Sequence, residues 1–159
     1  MAQKDKGEKM GLDMYLSAKK YASRHFSPEV LDKVVEAVEA GSFLQKDHPS
    51  IEVSVNVAYW RKANAIHKWF VENVQDGNDD CRTYHVTREE VKTLISLCKE
   101  VLDDRENAHE LLPSAEGFFF GGTDYDDWYF GSLEETIEQL SSALEKTTDD
   151  WAFEYQASW

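Results

Sequence analysis

The sequence predicts an α+β domain: a small, mainly antiparallel sheet of about four strands with about four helices packed on it. Three observations lead there. Segments that alternate apolar and polar residues occur near both ends of the chain and in its middle. Segments with apolar residues three and four apart lie between them. The alternating segments are few and amphipathic, which suits a sheet with one buried and one solvated face better than a doubly wound parallel sheet. The 159 residues fit one domain, and with 42% hydrophobic and 13% aromatic residues the chain has the apolar surface a core needs.

Residues 1–9, MAQKDKGEK, read as a flexible polar leader, with Met10 a second candidate start, so the domain runs from 10 to 159. Leu12, Met14, Leu16 and Ala18 alternate with Asp13, Tyr15 and Ser17 as a half-buried strand. Lys19, Lys20, Arg24 and His25 then form a basic patch. Ser27-Pro28 opens a helix, with Ser27 as N-cap and Pro28 at the first helical position. Its buried stripe is Val30, Leu31, Val34, Val35 and Val38, and Gly41 is its expected stop. Ile51 to Val57 is the clearest strand, and it runs into a helix expected over Tyr59–Val74.

Gln75 to Cys81 is a loop. Thr87-Arg88-Glu89-Glu90 is a capping box, opening a helix lined by Val91, Leu94, Ile95, Leu97, Cys98, Val101 and Leu102. Asp103 to Glu116 reads as a polar connection. Gly117 to Gly131 reads as a short strand, a glycine turn and an aromatic-rich loop. Ser132-Leu133-Glu134-Glu135 is a second capping box, followed by the stripe Leu133, Ile137, Leu140 and Leu144 up to Lys146. Trp151, Phe153, Tyr155 and Ala157 alternate in a terminal strand.

No apolar run approaches the ~20 residues of a membrane span, and no signal-peptide pattern is present. Two cysteines, Cys81 and Cys98, are too few for a disulfide framework, so a cytoplasmic setting is expected. The net charge of −14 is uneven: residues 1–99 balance, while residues 100–159 hold 16 acidic and 2 basic side chains. Direct nucleic-acid binding is disfavoured, because it depends on a basic footprint. A basic protein partner, or mimicry of nucleic-acid charge, is a possible use of such a surface, and a solvated face that keeps the protein soluble is the plainer one.

The expected site lies in Ala58–Val74, which packs two Trp, a Tyr, a Phe, three cationic side chains, a His and two Asn together. Wound as a helix, Ala63, Ile66, Phe70, Val71 and Val74 form its core face. Arg61, Asn64 and Lys68 form a second, with Arg61 and Lys68 one above the other. Two readings are open. His67 is a core-edge histidine and Trp69 is covered by another element; or Arg61 and Lys68 hold an anion at a helix start while Tyr59, Trp60 or Trp69 stack on a planar group. In the second reading Tyr125, Asp126, Trp128 and Tyr129 supply the opposite wall of a pocket. The ligand-binding set is then Tyr59, Trp60, Arg61, Asn64, His67 and Lys68 with those four.

No metal or cofactor is expected. Cys81 and His85 stand four apart without a partner half, and Asp124-Tyr125-Asp126-Asp127 lacks the glycine and distal glutamate of a calcium loop. There is no G-x-S-x-G elbow, and Gly117, Gly121 and Gly122 match neither a P-loop nor a dinucleotide fingerprint. No catalytic residue is assigned.

Four stretches, MGLDMYL (Met10–Leu16), YWRKANAIHKWF (Tyr59–Phe70), GFFFGGTDYDDWYF (Gly117–Phe130) and YQASW (Tyr155–Trp159), resemble a group of small bacteriophage and prophage proteins. The resemblance covers Met10 to Trp159 and carries no catalytic residues over. It implies a phage accessory protein in the host bacterial cytoplasm, of the kind that counters host defence by binding. The expected function is sequestration of an anionic, nucleotide-like small molecule without turnover. The alternatives are an acidic inhibitor or nucleic-acid mimic acting on a host protein, and a small phosphodiester hydrolase using His67. A homo-oligomer through an exposed Trp69 and the terminal strand is a further possibility.

Overall fold

The alternation that begins at Leu12 continues well past Ala18, into an 11-residue strand, β1 (Asp13–Ser23), that takes in Lys19 and Lys20. It belongs to a computed structural model that describes residues 11–117 and 119–159. The expected leader 1–9, the candidate start at Met10, and Phe118 lie outside those residues.

The second strand departs most from expectation. β2 (Ser50–Arg61) does not end at Val57 but carries Tyr59, Trp60 and Arg61, which the sequence placed on a helix. The cause is a bulge: Leu16 pairs with Ala58 and Ser17 with Asn56, so Val57 has no partner of its own. Unbroken period two would have turned Val57, Tyr59 and Arg61 inward. The extra residue instead turns Ala58 and Trp60 inward, where they are 4% and 1% exposed, and leaves Tyr59 outside. The phase break erases the alternation and reads, in sequence, as a helix start.

After Ser23, α1 (Pro28–Ala37) starts at the expected proline, though the Ser27 side chain makes no capping bond. It stops before Gly41, because Glu39 turns to a positive φ of 54° and a single 3-10 turn follows over Ala40–Ser42. The helix after β2 is α2 (Asn64–Asn73), five residues shorter at its start than the sequence indicated. β3 (Tyr84–Val86), too short to show a period, lies between the expected loop and the capping box, where the sequence indicated no element. α3 (Arg88–Asp103) begins with the expected capping box: Thr87 Oγ1 accepts from Glu90 N–H, and Glu90 Oε2 accepts from Thr87 N–H. A one-turn helix, α4 (Ala108–Leu111), interrupts the polar connection.

The last helix, α5 (Asp127–Lys146), starts five residues before Ser132. Asp126 is its N-cap and accepts from Tyr129 N–H at 3.0 Å. Ser132 lies inside the helix and donates to the Tyr129 carbonyl. The expected short strand near Gly117 is not formed among the described residues of that stretch. β4 (Ala152–Ser158) closes the fold as expected.

The four strands form one antiparallel sheet in the order β2-β1-β4-β3. Met14, Leu16, Ala18, Ala58, Trp60, Val86, Phe153, Tyr155 and Ala157 face a layer of helices and are buried. The other face stays wet, with Tyr15, Tyr21 and Tyr59 exposed and Lys19 bridging Glu52 and Glu154 across three strands. Phe70 of α2 stacks on Tyr155 of β4 with ring centres 3.9 Å apart. Trp69, which the sequence placed among polar residues and offered as an exposed dimer contact, is buried and meets Phe70 edge-on. Among the described residues, no helix is long and apolar enough to cross a membrane.

Candidate functional site

The corner where β2 passes into α2 is built around Lys62. Its N–H donates to the Leu12 carbonyl at 2.7 Å, extending the β1–β2 ladder by one bond. Its backbone then turns to a φ of 56°, a conformation that costs a non-glycine residue roughly 1–2 kcal/mol. Two glycines enclose the side chain. A Cβ on Gly11 would come within 3.3 Å of Lys62 Cε, and one on Gly121, itself at φ 88°, within 3.2 Å of Lys62 Cβ.

Among the described residues Lys62 has no acidic partner. Among the described residues six Lys or Arg side chains are half-buried. Lys19, Lys20, Arg61, Lys68 and Arg88 each lie within 4 Å of a carboxylate, and Lys62 does not. Directly after it, α2 starts without help. Its N-cap is Ala63, which has no side-chain acceptor, so the first-turn N–H groups carry no side-chain cap. Asn64 stands at the first helical position but is committed elsewhere. Its Nδ2 donates to the carbonyls of Phe120 and Gly122, and its Oδ1 accepts from Ala115 N–H. Buried and thrice bonded, Asn64 staples the Gly121–Gly122 turn to the helix start.

The opposite wall is the start of α5. Tyr129 is buried there, donates to the Leu112 carbonyl at 2.7 Å, and has its phenol pushed well up by burial. Trp128 beside it is 67% exposed. Between the walls lies a cavity of about 300 Å³, lined by Lys62, Ala63, Asn64, Ala65, Gly121, Gly122, Asp124, Asp126, Trp128, Tyr129 and Ser132. A second cavity of about 170 Å³ adjoins it, lined by Trp60, Arg61, Ala63, Asp127, Trp128, Gly131, Ser132 and Glu135. Trp128, Ala63 and Ser132 border both.

The expected site residues divide accordingly. Asn64, Asp126, Trp128 and Tyr129 reach the first cavity, and Trp60 and Arg61 reach the second. Trp60 does so as a buried wall whose indole N–H donates to Thr136 Oγ1 at 2.8 Å. Arg61 pairs with Asp13 at 3.3 Å. Tyr59 sits on the wet sheet face, its hydroxyl donating to Asp13 and its phenol pushed up chiefly by that carboxylate. Gln139 of α5 clasps the Tyr59 backbone, bonding both its N–H and its carbonyl. Tyr125 holds its loop by accepting from Ser114 N–H and lines neither cavity.

Arg61 and Lys68 do not stand one above the other, because a strand end and a helix separate them. Lys68 instead borders a depression with His67, Glu72 and Asp79. His67 is 1% exposed and bonded at both nitrogens, to Asp79 Oδ1 at 2.9 Å through Nε2 and to the Tyr155 hydroxyl at 2.8 Å through Nδ1. Because a carboxylate only accepts, the neutral ring carries its proton on Nε2 and accepts a hydrogen bond from the Tyr155 hydroxyl at Nδ1. Burial lowers the imidazole pKa below 6.5, outweighing the opposing pull of Asp79. His67 is thus a core histidine, bonded to a tyrosine hydroxyl and a carboxylate.

The ligand-binding set drawn from the sequence did not include Lys62, Asp124 or Gly131. Lys62 was expected within a continuous helix, and only the strand-to-helix corner brings it to the cavity. Gly131 was a loop residue by sequence. It lies inside α5, exposed, where a Cβ would meet nothing within 4 Å. There it costs about 1 kcal/mol relative to alanine.

Among the described residues, no three or more His, Cys, Asp or Glu side chains are grouped to hold a metal ion. Cys98 is buried, with a thiol pushed up to about 12 by burial. In comparisons with known proteins, no family, no curated protein and no solved structure matches the chain.

Proposed function

We propose that this chain is a binding protein for an anionic, nucleotide-like small molecule, held without turnover in the Lys62 cavity. The carrying observation is Lys62 itself: a strained, half-buried cation with no carboxylate partner among the described residues, fixed between Gly11 and Gly121 beside an uncapped helix start. Strain and an unmatched charge mark positions that the fold does not need for itself. Helix-start N–H groups and an ammonium together suit a phosphate. Trp128 offers a ring for stacking, and Asp124 an acceptor for base amines or ribose hydroxyls. The imidazole considered as a base lies outside this cavity, with both nitrogens bonded. In the phage setting implied by the sequence resemblance, such a protein would withdraw a host immune nucleotide from circulation.

The test is thermal unfolding of the wild type and of Lys62→Asn, with adenosine and guanosine 5′-monophosphates and with inorganic phosphate. A ligand at 100 times its Kd adds about 2.7 kcal/mol, or roughly 5–10 °C at this chain length. The expected result is a shift in the wild type that Lys62→Asn loses. A wild type that no anion stabilises would overturn the reading, and would turn attention to the acidic surface as a face for a basic protein.

A further inference from the structure

We infer that the ligand is a dinucleotide whose second ring lies beyond Trp128, in the cavity bordered by Arg61 and Gly131. This rests on the anion-site reading of the Lys62 cavity and adds the class of ligand to it.

Three observations carry the inference. First, the two cavities are neighbours that share Ala63, Trp128 and Ser132. At about 300 Å³ the first lies at the lower end of small-molecule sites, roughly 300–1,000 Å³, and the second extends it. Second, the two are alike in chemistry. Each has one cation, Lys62 or Arg61, and two carboxylates, Asp124 with Asp126 or Asp127 with Glu135, and Trp128 is common to both. A single exposed indole bordering both cavities fits two rings, one on each side. Consecutive cations at 61 and 62 fit the bridge that joins them, a phosphodiester. Third, no turn or close approach requires glycine at 131. It takes no positive φ and an added Cβ would meet nothing within 4 Å, yet it sits in the interior of α5, where glycine weakens a helix. What its missing side chain leaves open is the second cavity.

A mononucleotide in the first cavity would use Lys62, the α2 start and Trp128, and would leave the space over Gly131 empty.

The test is isothermal titration of the full chain with adenosine 5′-monophosphate, the linear dinucleotide adenylyl-(3′,5′)-adenosine and cyclic di-adenylate, and with the guanine counterparts. The expected result is that at least one dinucleotide binds tenfold or more tightly than the mononucleotide of the same base. Comparing linear with cyclic forms shows which bridge is taken. Gly131→Leu, which adds a good helix former and fills the second cavity, should leave that dinucleotide no tighter than the mononucleotide. Its melting temperature should hold or rise, so a loss is not a failure to fold. Arg61→Gln should narrow the same ratio without the added bulk. Equal affinities for mononucleotide and dinucleotide, or a ratio untouched by Gly131→Leu, would overturn the dinucleotide while leaving the Lys62 site in place. Binding of neither class would overturn both.

Discussion

Lys62 and His67 stand little more than one helical turn apart in sequence, and the fold treats them in opposite ways. His67 is sealed into the core and bonded at both nitrogens, to Tyr155 and Asp79. Lys62 is half-buried, strained and without a carboxylate. A buried polar group with every bond made is explained by the fold that surrounds it. A cation held in a costly conformation with no carboxylate partner among the described residues is not explained in that way. The same contrast separates the helix starts. α3 has its capping box and α5 its Asp126, while α2, like α1, begins with no side-chain cap.

Substitutions can press on each side of this contrast. The largest effect on stability is expected at His67. His67→Ala removes a buried ring, leaves the Tyr155 hydroxyl without its acceptor, and should cost about 3 kcal/mol. Chemical denaturation measures this, and a cost below 1 kcal/mol would break the structural assignment. The pH dependence follows from the same environment. Burial holds the folded imidazole pKa below its value of 6.5 in an unfolded chain, so between the two the unfolded state binds more protons. Stability is therefore complete above about pH 6.5, falls as pH drops below it, and stops falling once the folded ring is also protonated. His67→Gln should flatten this part of the curve.

Asn64→Ala comes next. It strands the Ala115 N–H and the carbonyls of Phe120 and Gly122, which should cost about 1–3 kcal/mol and loosen the Gly121–Gly122 wall. Ligand affinity should fall with it, because Asn64 positions the site. Gly121→Ala should cost about 1 kcal/mol or more, since it places a Cβ at φ 88° and against the Lys62 stem. Both are read from melting curves.

Trp128→Ala reverses the pattern. With 67% of the side chain exposed, stability should change by less than about 0.5 kcal/mol. Ligand affinity should drop about tenfold or more, the range for loss of one stacking ring. A variant that binds normally would remove the indole from the site.

The same contrast explains what the sequence could reveal. β1, β4, α1 and α3 were legible because one local period or cap decides each: Leu12 to Ala18 alternates without a break, and Thr87 with Glu90 forms its box. The start of α2 was not legible, because a bulge at Val57 shifts the phase by one residue and its consequences lie in the pairing with Leu16 and Ser17 on another strand. That shift moved Tyr59 and Arg61 off the helix and separated Arg61 from Lys68. The opposite wall was partly legible. Asp126, Trp128 and Tyr129 were chosen for composition and do reach the cavity, while Tyr125 points to Ser114 instead. Lys62 was legible as one of the cations near a helix start but not as the centre of the site, because its lack of a carboxylate partner among the described residues is a property of the folded chain. Asp127 and Phe130 looked like loop residues because Asp126, an effective N-cap, was masked by the stronger Ser132–Glu135 signature downstream.

The most direct test of this account is the affinity of the Lys62→Asn chain for the nucleotide that the wild type binds best, measured by calorimetry beside its melting temperature. Asparagine tolerates the left-handed backbone and removes the charge. The account predicts an unliganded melting temperature within about 2 °C of wild type. It predicts an affinity at least tenfold weaker, the loss expected when a charge-assisted bond of about 1.5–3 kcal/mol is removed. Unchanged affinity in a normally folded Lys62→Asn chain would contradict it.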